Sequence, residues 1–223
     1  MKFIEYPDRE LMMFSLADQL AADLNMALRQ NERASLSVPG GTSPGPVFDI
    51  LSGVKLDWHR VTIIPNDERW VPETHERSNT RLLRQRLLKS HAAAAELITL
   101  YADTPEPEAA MDRLAAAVSP HLPIAVLLLG MGIDMHTASL FPRGDHLPQA
   151  LAPDAPILLP MRAEAAGEPR VTLTARVLAD AMAIHILITG ADKRAAIERA
   201  ETLPAETAPV KAVLANATVH WAK

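Results

Sequence analysis

The sequence predicts an α/β fold with a mainly parallel, Rossmann-like sheet and helices on both faces. Three observations predict it: short apolar runs recur along the chain, segments with helical spacing separate them, and glycines follow several runs. Runs that are apolar without alternation are typical of strands covered on both faces. Strands that alternate with helices predict parallel pairing through right-handed crossovers. Ligands of such sheets bind beyond the carboxyl ends of the strands.

The predicted strands are the apolar runs themselves. They cover residues 36–38, 61–64, 97–101, 124–129, 171–173, 184–189 and 217–221. The first predicted helix follows Asp8, a suitable N-cap, and carries leucines at a spacing of four. Further helices are predicted over residues 79–91, 105–118 and 191–200. The segment 140–168 is rich in proline and alanine and predicts a loop or a small excursion from the sheet.

The composition is that of a globular protein. The chain has 223 residues, of which 48% are apolar and 22% charged, and it shows no internal repeat or domain boundary. We therefore expect a single α/β domain over residues 1–223. Its net charge of −5 argues against a nucleic-acid or anionic-membrane partner, because either would need a basic face.

Several function classes are excluded or disfavoured. No cysteine is present, which excludes disulfides, thiolate catalysis and iron–sulfur clusters. The longest strongly apolar stretch, 124–129, is far below the ~20 residues of a membrane helix, and no secretory signal is evident. We expect a soluble cytoplasmic protein, a monomer or homodimer, that needs no cofactor or metal and binds a small molecule.

The first candidate site is the glycine-rich turn Gly40, Gly41, Thr42 and Ser43, which follows a predicted strand. Backbone N–H groups, two hydroxyls and a helix N-terminus together favour an anion. A tight turn with Ser43 as N-cap is the structural alternative. Ser43 also lies in a G-x-S-x-G pattern, but Pro44 lacks the N–H that a serine nucleophile elbow needs.

The second candidate site is the charged cluster Asp67, Glu68 and Arg69, directly after the strand at 61–64. Charged side chains are not expected inside a strand, so the cluster is predicted to meet a ligand. Arg69 is suited to bidentate binding of phosphate. An ion-pair network among these residues is the structural alternative.

The third candidate site is Asp134 and His136, after the strand at 124–129. A carboxylate beside an imidazole orients it and prepares it as a general base. A locally bonded structural histidine and half of a metal site are the alternatives. The dinucleotide-binding pattern fails because Met135 stands where its third glycine would be.

The fourth candidate is Lys193, at the start of the helix over 191–200. A lysine in a first turn opposes the helix dipole, which suggests an anionic ligand, although a solvated lysine is the alternative. Because all four turns follow strands, we expect them on one rim of the sheet. There they would form a phosphate site beside an acid–base pair.

These segments resemble the 6-phosphogluconolactonase family, within the glucosamine/galactosamine-6-phosphate isomerase superfamily. The resemblance rests on VPGGTSP, NDERWVPETHERSN, LLLGMGIDMHTASLFP, EPRVTLT and ITGADKR, in the order of the family. Phe141 is followed directly by Pro142, which favours the lactonase branch over the deaminases. The family usually has Asp-Gly-His where this chain has Met135 in the middle. If that position needs a positive φ, Met135 is expected to be strained or the loop re-aimed.

The resemblance implies a carboxylic ester hydrolase that converts 6-phospho-D-glucono-1,5-lactone to 6-phosphogluconate in the oxidative pentose phosphate pathway. It implies that His136 activates water and that Asp134 holds the imidazole. Phosphate would bind Gly40–Ser43, Arg69 and Lys193, while Asp67 and Glu68 bind sugar hydroxyls or organise Arg69. Backbone N–H groups near Gly130–Gly132 are the expected oxyanion donors. A sugar-phosphate isomerase or deaminase and a non-catalytic sugar-phosphate binding protein are the alternatives.

Overall fold

The computed structural model describes residues 1–223 except for the side chain of Ala165. Seven parallel strands form the main sheet, and three antiparallel strands form a second, smaller sheet. The strands are β1 (Lys2–Glu5), β2 (Ala34–Val38), β3 (Val61–Pro65), β4 (Asp67–Arg69), β5 (Glu96–Leu97), β6 (Val126–Gly130), β7 (Leu158–Met161), β8 (Arg170–Leu173), β9 (Ala183–Thr189) and β10 (Ala217–Ala222). The α-helices are α1 (Arg9–Gln30), α2 (Gly45–Ser52), α3 (Asn79–Arg86), α4 (Met111–Val118), α5 (Leu147–Leu151), α6 (Ala175–Ala179), α7 (Ala191–Ala200) and α8 (Lys211–Leu214).

The order of strands in the main sheet is β1-β10-β9-β6-β2-β3-β5. The chain builds outward from β2 toward β3 and β5, and then crosses over to β6 and continues the other way. The direction of winding therefore switches between β2 and β6. Parallel sheets bind ligands at such a switch point, because the turns that follow the two strands diverge to opposite faces and leave a crevice.

Both faces of the main sheet are covered by helices, which confirms the predicted α/β class. Leu16 of α1, Phe48 of α2 and Leu83 of α3 share one buried cluster, while α4, α6 and α7 contribute to another. Neighbouring residues of one strand, Ile63 and Ile64, belong to different clusters, and both are fully buried. Two-sided burial explains why the strands of the main sheet read as continuous apolar runs.

Two helices begin where the sequence predicts. The carboxylate of Asp8 accepts a hydrogen bond from the Leu11 N–H at 2.8 Å and begins α1. Helix α7 has the predicted bounds, and Gly190 before it has a φ of 84°. Among the helices that the structure describes, none is both long and apolar enough to cross a membrane.

The prediction that charged residues at 67–69 lie outside any strand is wrong. Asp67–Arg69 form β4, which pairs with β8 in the antiparallel sheet, and β8 also pairs with β7. The run at 171–173 is therefore a strand of this second sheet and not of the parallel one. The segment 140–168 supplies β7 and α5, so it is an excursion with structure of its own.

Three further bounds differ from prediction. The strand predicted at 97–101 is reduced to Glu96–Leu97, and the helix predicted at 79–91 ends at Arg86 and is followed by a 3₁₀ turn at Ser90–Ala94. The helix predicted at 105–118 begins as a 3₁₀ turn at Pro107–Ala110. The edge strand β1 was not predicted, because only its two middle residues are apolar and they form no long apolar run.

Candidate active site

A cavity of about 420 Å³ lies at the carboxyl edge of the main sheet, at the switch point between β2 and β6. It collects most of the predicted site residues from distant parts of the chain: Gly40, Gly41, Thr42, Ser43, Asp67, Arg69, His136 and Lys193. Asp134 does not line the cavity but is hydrogen-bonded to His136, which does. Glu68 does not line it. Asn79, Phe141 and Arg170 also line it, and sequence reasoning did not select them.

The glycine-rich turn needs both of its first glycines. Gly41 has a φ of 86°, which favours glycine. A Cβ on Gly40 would lie 1.8 Å from Oδ1 of Asn79, so the turn can approach α3 only without a side chain there. Pro44, not Ser43, is the N-cap of α2, and no side chain caps that helix. Thr42 and Ser43 are exposed at the cavity.

Asp134 and His136 form a hydrogen-bonded pair. Nδ1 of His136 lies 2.6 Å from Oδ1 of Asp134, and the ring packs on Phe141 with centroids 4.7 Å apart. A carboxylate can only accept, so Nδ1 is the donor of this hydrogen bond, and in the neutral imidazole Nε2 then keeps its lone pair. The hydrogen bond from His136 lowers the pKa of Asp134, which keeps this carboxylate ionised. The pair therefore has the geometry of an oriented general base.

Gly132 makes room for this pair. A Cβ on Gly132 would lie 2.3 Å from Nδ1 of His136 and 2.4 Å from Oδ1 of Asp134, so a larger residue would push the two side chains apart. The Gly132 N–H donates to the His136 carbonyl at 3.0 Å. That N–H is not free to bind an oxyanion. The expectation that backbone N–H groups near Gly130–Gly132 donate to the oxyanion is therefore wrong at Gly132.

Met135 adopts the backbone conformation that glycine favours. Its φ is 66°, and Arg143 likewise has a φ of 65°. The expectation of strain at Met135 is confirmed, but the loop is not re-aimed, because the Asp134–His136 bond is intact. The Met135 side chain is 5% exposed and packs in the core cluster beneath the loop. The free energy gained by burying this side chain offsets the free-energy cost of the left-handed backbone.

We expect Met135→Gly to lower the free energy of unfolding by about 1 kcal/mol, because lost burial of about 1.5–3 kcal/mol exceeds the relief of about 1–2 kcal/mol of strain. The kcat should stay close to that of the parent protein, since the neighbouring pair is untouched. Urea denaturation and steady-state kinetics measure the two effects. Met135→Leu, which keeps both the strain and the burial, is the matched control. A Met135→Gly protein more stable than the parent would contradict this account.

Glu68 is a structural residue and not a ligand of the cavity. It is fully buried, and its carboxylate accepts from five donors in β4 and at the start of α3. The donors are the N–H groups of Arg69, Asn79 and Thr80 and the hydroxyls of Ser78 and Thr80. Burial raises the pKa of Glu68, and these hydrogen bonds oppose that shift. Glu68 thus ties α3 to β4, and its prediction as a substrate ligand is wrong.

Asp67 faces the cavity from the same strand. Its Oδ2 accepts from the Ser139 hydroxyl at 2.5 Å, and its backbone carbonyl accepts from the Asn79 amide at 2.8 Å. Because side chains alternate along a strand, Asp67 and Arg69 share one side of β4 and Glu68 points to the other. The carboxylate of Asp67 is thereby fixed in direction at the cavity wall.

Three cations line the cavity: Arg69, Arg170 and Lys193. Burial lowers the pKa of Lys193 and of Arg170, so both give up hydration without full compensation from the protein. Arg170 is the first residue of β8. The only sequence feature that could have indicated it as a site residue is a charged side chain directly before an apolar run. Three cations around one cavity favour an anionic ligand.

Neither a metal site nor a serine nucleophile is supported. Among the described residues, no group of three or more histidine, aspartate and glutamate side chains could hold a metal ion. Within the same residues, the Ser43 hydroxyl has no hydrogen bond to a histidine, the contact that would activate it.

The fold and the cavity define an α/β protein with an anion-binding crevice and an aspartate–histidine pair at the switch point of a parallel sheet. A sequence model of the "Glucosamine-6-phosphate isomerases/6-phosphogluconolactonase" family matches residues 7–221. The chain belongs to this family, which confirms the resemblance deduced from its motifs.

Two relatives of the chain are named 6-phosphogluconolactonase. It is 42% identical over 216 residues to a 6-phosphogluconolactonase of Rhizobium meliloti, covering 93% of each chain. It is also 42% identical to a 6-phosphogluconolactonase of Pseudomonas aeruginosa, covering 92% of this chain and 88% of the relative. These names support the predicted ester hydrolase class.

Solved structures agree on the fold. A 6-phosphogluconolactonase from Shewanella baltica superposes with a TM-score of 0.96 and 31% identity, covering 100% of this chain and 98% of that chain. A monomeric glucosamine-6-phosphate deaminase superposes with a TM-score of 0.77 at 17% identity, covering 100% of this chain and 98% of that chain. The second likeness shows that the deaminase branch shares the fold, so the reaction must be argued from the site.

Proposed function

We propose that the chain hydrolyses 6-phospho-D-glucono-1,5-lactone to 6-phosphogluconate in the oxidative pentose phosphate pathway, and that it does so in the cytoplasm. The observation that carries the proposal is the Asp134–His136 pair beside a cavity lined by three cations. An ester carbonyl is already electrophilic, so hydrolysis needs a positioned water and a base rather than a metal or a covalent intermediate. The names of the relatives support the same substrate.

In the proposed mechanism His136 acts as general base. Nδ1 is held by Asp134, so Nε2 takes a proton from water as its oxygen adds to C1 of the lactone. The carboxylate of Asp134 stabilises the imidazolium that forms. The imidazolium then returns the proton to the ring oxygen as the bond between C1 and that oxygen breaks. The products are a carboxylate and a free hydroxyl, and the base is regenerated.

The phosphate of the substrate would anchor the other end of the molecule. The turn Gly40–Ser43 offers N–H groups, Arg69 offers a guanidinium and Lys193 offers an ammonium group at the same cavity. Lys193 is partly desolvated, which favours a dianion near it. Binding energy from the phosphate would hold the lactone carbon against the imidazole and so assist the chemical step.

We expect Lys193→Met to raise KM about 10- to 100-fold, the range of one charged hydrogen bond, with a smaller effect on kcat. Lys55→Met, at an exposed lysine outside the cavity, is the matched control. Initial rates across a range of lactone concentrations separate KM from kcat. An unchanged KM would remove Lys193 from the phosphate site.

The proposed function is tested with freshly prepared lactone in an assay coupled to 6-phosphogluconate dehydrogenase. The spontaneous rate of hydrolysis is subtracted. Glucosamine 6-phosphate is offered in parallel, and ammonia release is measured, because the deaminase branch shares this fold. Lactone turnover without ammonia supports the proposal. Ammonia release would favour a deaminase, and binding of sugar phosphate without turnover would favour a sensor.

A further inference from the structure

Two arginines face each other across the antiparallel sheet at the cavity. Arg69 of β4 and Arg170 of β8 are direct register partners, and both line the cavity. Like charges directly opposite in an antiparallel pair destabilise the sheet. Burial is the main cause that lowers the pKa of Arg170, and the positive charge of Arg69 adds to that shift. Negative charge on a ligand atom in front of Arg170 would relieve the repulsion between the two arginines.

Arg170 has more donors than the protein uses. It is 7% exposed, and its Nη2 donates to the Ala166 carbonyl at 3.0 Å. Its Nη1 lies 3.7 Å from Oδ2 of Asp67, too far for a hydrogen bond, and that oxygen already accepts from Ser139 at 2.5 Å. Among the described residues Nε has no partner at all. Oε1 of Glu168 lies 3.7 Å from Nη2, which is also beyond hydrogen-bonding distance. The two carboxylates therefore balance the charge of Arg170 but leave several of its buried donors unfilled, and a ligand that accepts from these donors would complete the site.

Arg170 also lies at the imidazole end of the cavity. Its Cζ is 5.8 Å from the centroid of the Phe141 ring, and the same ring is 4.7 Å from the ring of His136. One phenyl ring therefore contacts both the guanidinium and the proposed base. The backbone donor expected there is already used, because the Gly132 N–H is bonded within its own loop.

We propose that Arg170 is a catalytic residue that donates to the carbonyl oxygen of the lactone. As the water oxygen bonds to C1 and His136 takes the proton, the electron pair of the C=O bond moves onto that oxygen, where the guanidinium stabilises it. When the C=O bond re-forms, the bond from C1 to the ring oxygen breaks, and Arg170 is left beside the product carboxylate. This assignment rests on the proposed function.

Kinetics give the first test. Arg170→Met should lower kcat about 10²–10³-fold, the usual effect of losing an oxyanion donor. The inhibition constant of inorganic phosphate should be unchanged, and Arg170→Lys should recover part of the rate. Arg113→Met, at an exposed arginine of α4, is the matched control. A kcat close to that of the parent, or weaker inhibition by phosphate in Arg170→Met, would overturn the assignment, the latter by making Arg170 a phosphate ligand.

Binding gives a second test that needs no turnover. Calorimetry on the unmodified protein compares 6-phosphogluconate with glucitol 6-phosphate, which differ only in carboxylate against CH₂OH at C1. We expect the carboxylate to bind about 10- to 100-fold tighter, as one charged hydrogen bond provides. Arg170→Met should bind the two equally. Equal affinity in the unmodified protein overturns the assignment, whereas absence of lactone turnover defeats the proposed function independently of this preference.

Discussion

Replacing His136 by alanine is expected to lower kcat by about 10²–10⁴, the usual contribution of a general base. The variant keeps the cavity and its cations, so KM should change much less than kcat. Nδ1 of His136 is bonded to Asp134, which leaves Nε2 as the proton acceptor. Steady-state assays on fresh lactone, corrected for spontaneous hydrolysis, measure the effect.

His146→Ala is the matched control. Nε2 of His146 lies 3.7 Å from Oδ2 of Asp145, so this histidine also neighbours an aspartate, but it does not line the cavity. It should leave kcat unchanged. Turnover by His136→Ala at the parent rate would remove the imidazole from the mechanism. A loss of rate in His136→Ala that exogenous imidazole restores would identify the missing group as the proton acceptor.

Glu68→Gln is expected to lower the free energy of unfolding by about 2–4 kcal/mol, although the residue does not touch the cavity. The carboxylate receives five hydrogen bonds, and a carboxamide has one oxygen and one NH₂ group in its place. Whichever way the amide is turned, its NH₂ meets backbone N–H donors. Two donors at hydrogen-bonding distance repel, and each is left unsatisfied in a buried site.

Urea denaturation followed by circular dichroism measures the loss. Glu76→Gln, an exposed glutamate in the loop before α3, should stay within about 0.5 kcal/mol of the parent. Stability equal to the parent in Glu68→Gln would mean that α3 does not depend on this anchor. Because α3 carries Asn79 at the cavity, the destabilised protein should also show a higher KM.

Most strands of the main sheet could be predicted because they are buried on both faces and are therefore rich in apolar residues. The pairing of the second sheet could not be predicted from local sequence patterns. Its strand β4 has only three residues, all of them charged, and β8 lies far along the chain. Pairing of this kind depends on contacts between distant segments, which local hydrophobic periodicity cannot predict.

The same omission explains the error at Glu68. Once Asp67–Arg69 is known to be a strand, alternation places Asp67 and Arg69 on one side and Glu68 on the other. Without the strand, the three residues look equivalent. Arg170 was missed for a related reason: its role follows from its register opposite Arg69, which only the paired sheet reveals. The turns around Gly40 and His136 were predictable because glycine, hydroxyl and imidazole groups at strand ends are local signals.

The left-handed Met135 has a consequence for how such proteins are found. A search pattern that insists on glycine between the aspartate and the histidine would pass over this chain, although its backbone follows the path that glycine favours. Such a pattern would also miss any homologue that has a long apolar side chain at this position and a hollow beneath the loop in which that side chain packs. Patterns that allow methionine or leucine there, but retain the glycine equivalent to Gly132, should recover further members with an intact aspartate–histidine pair.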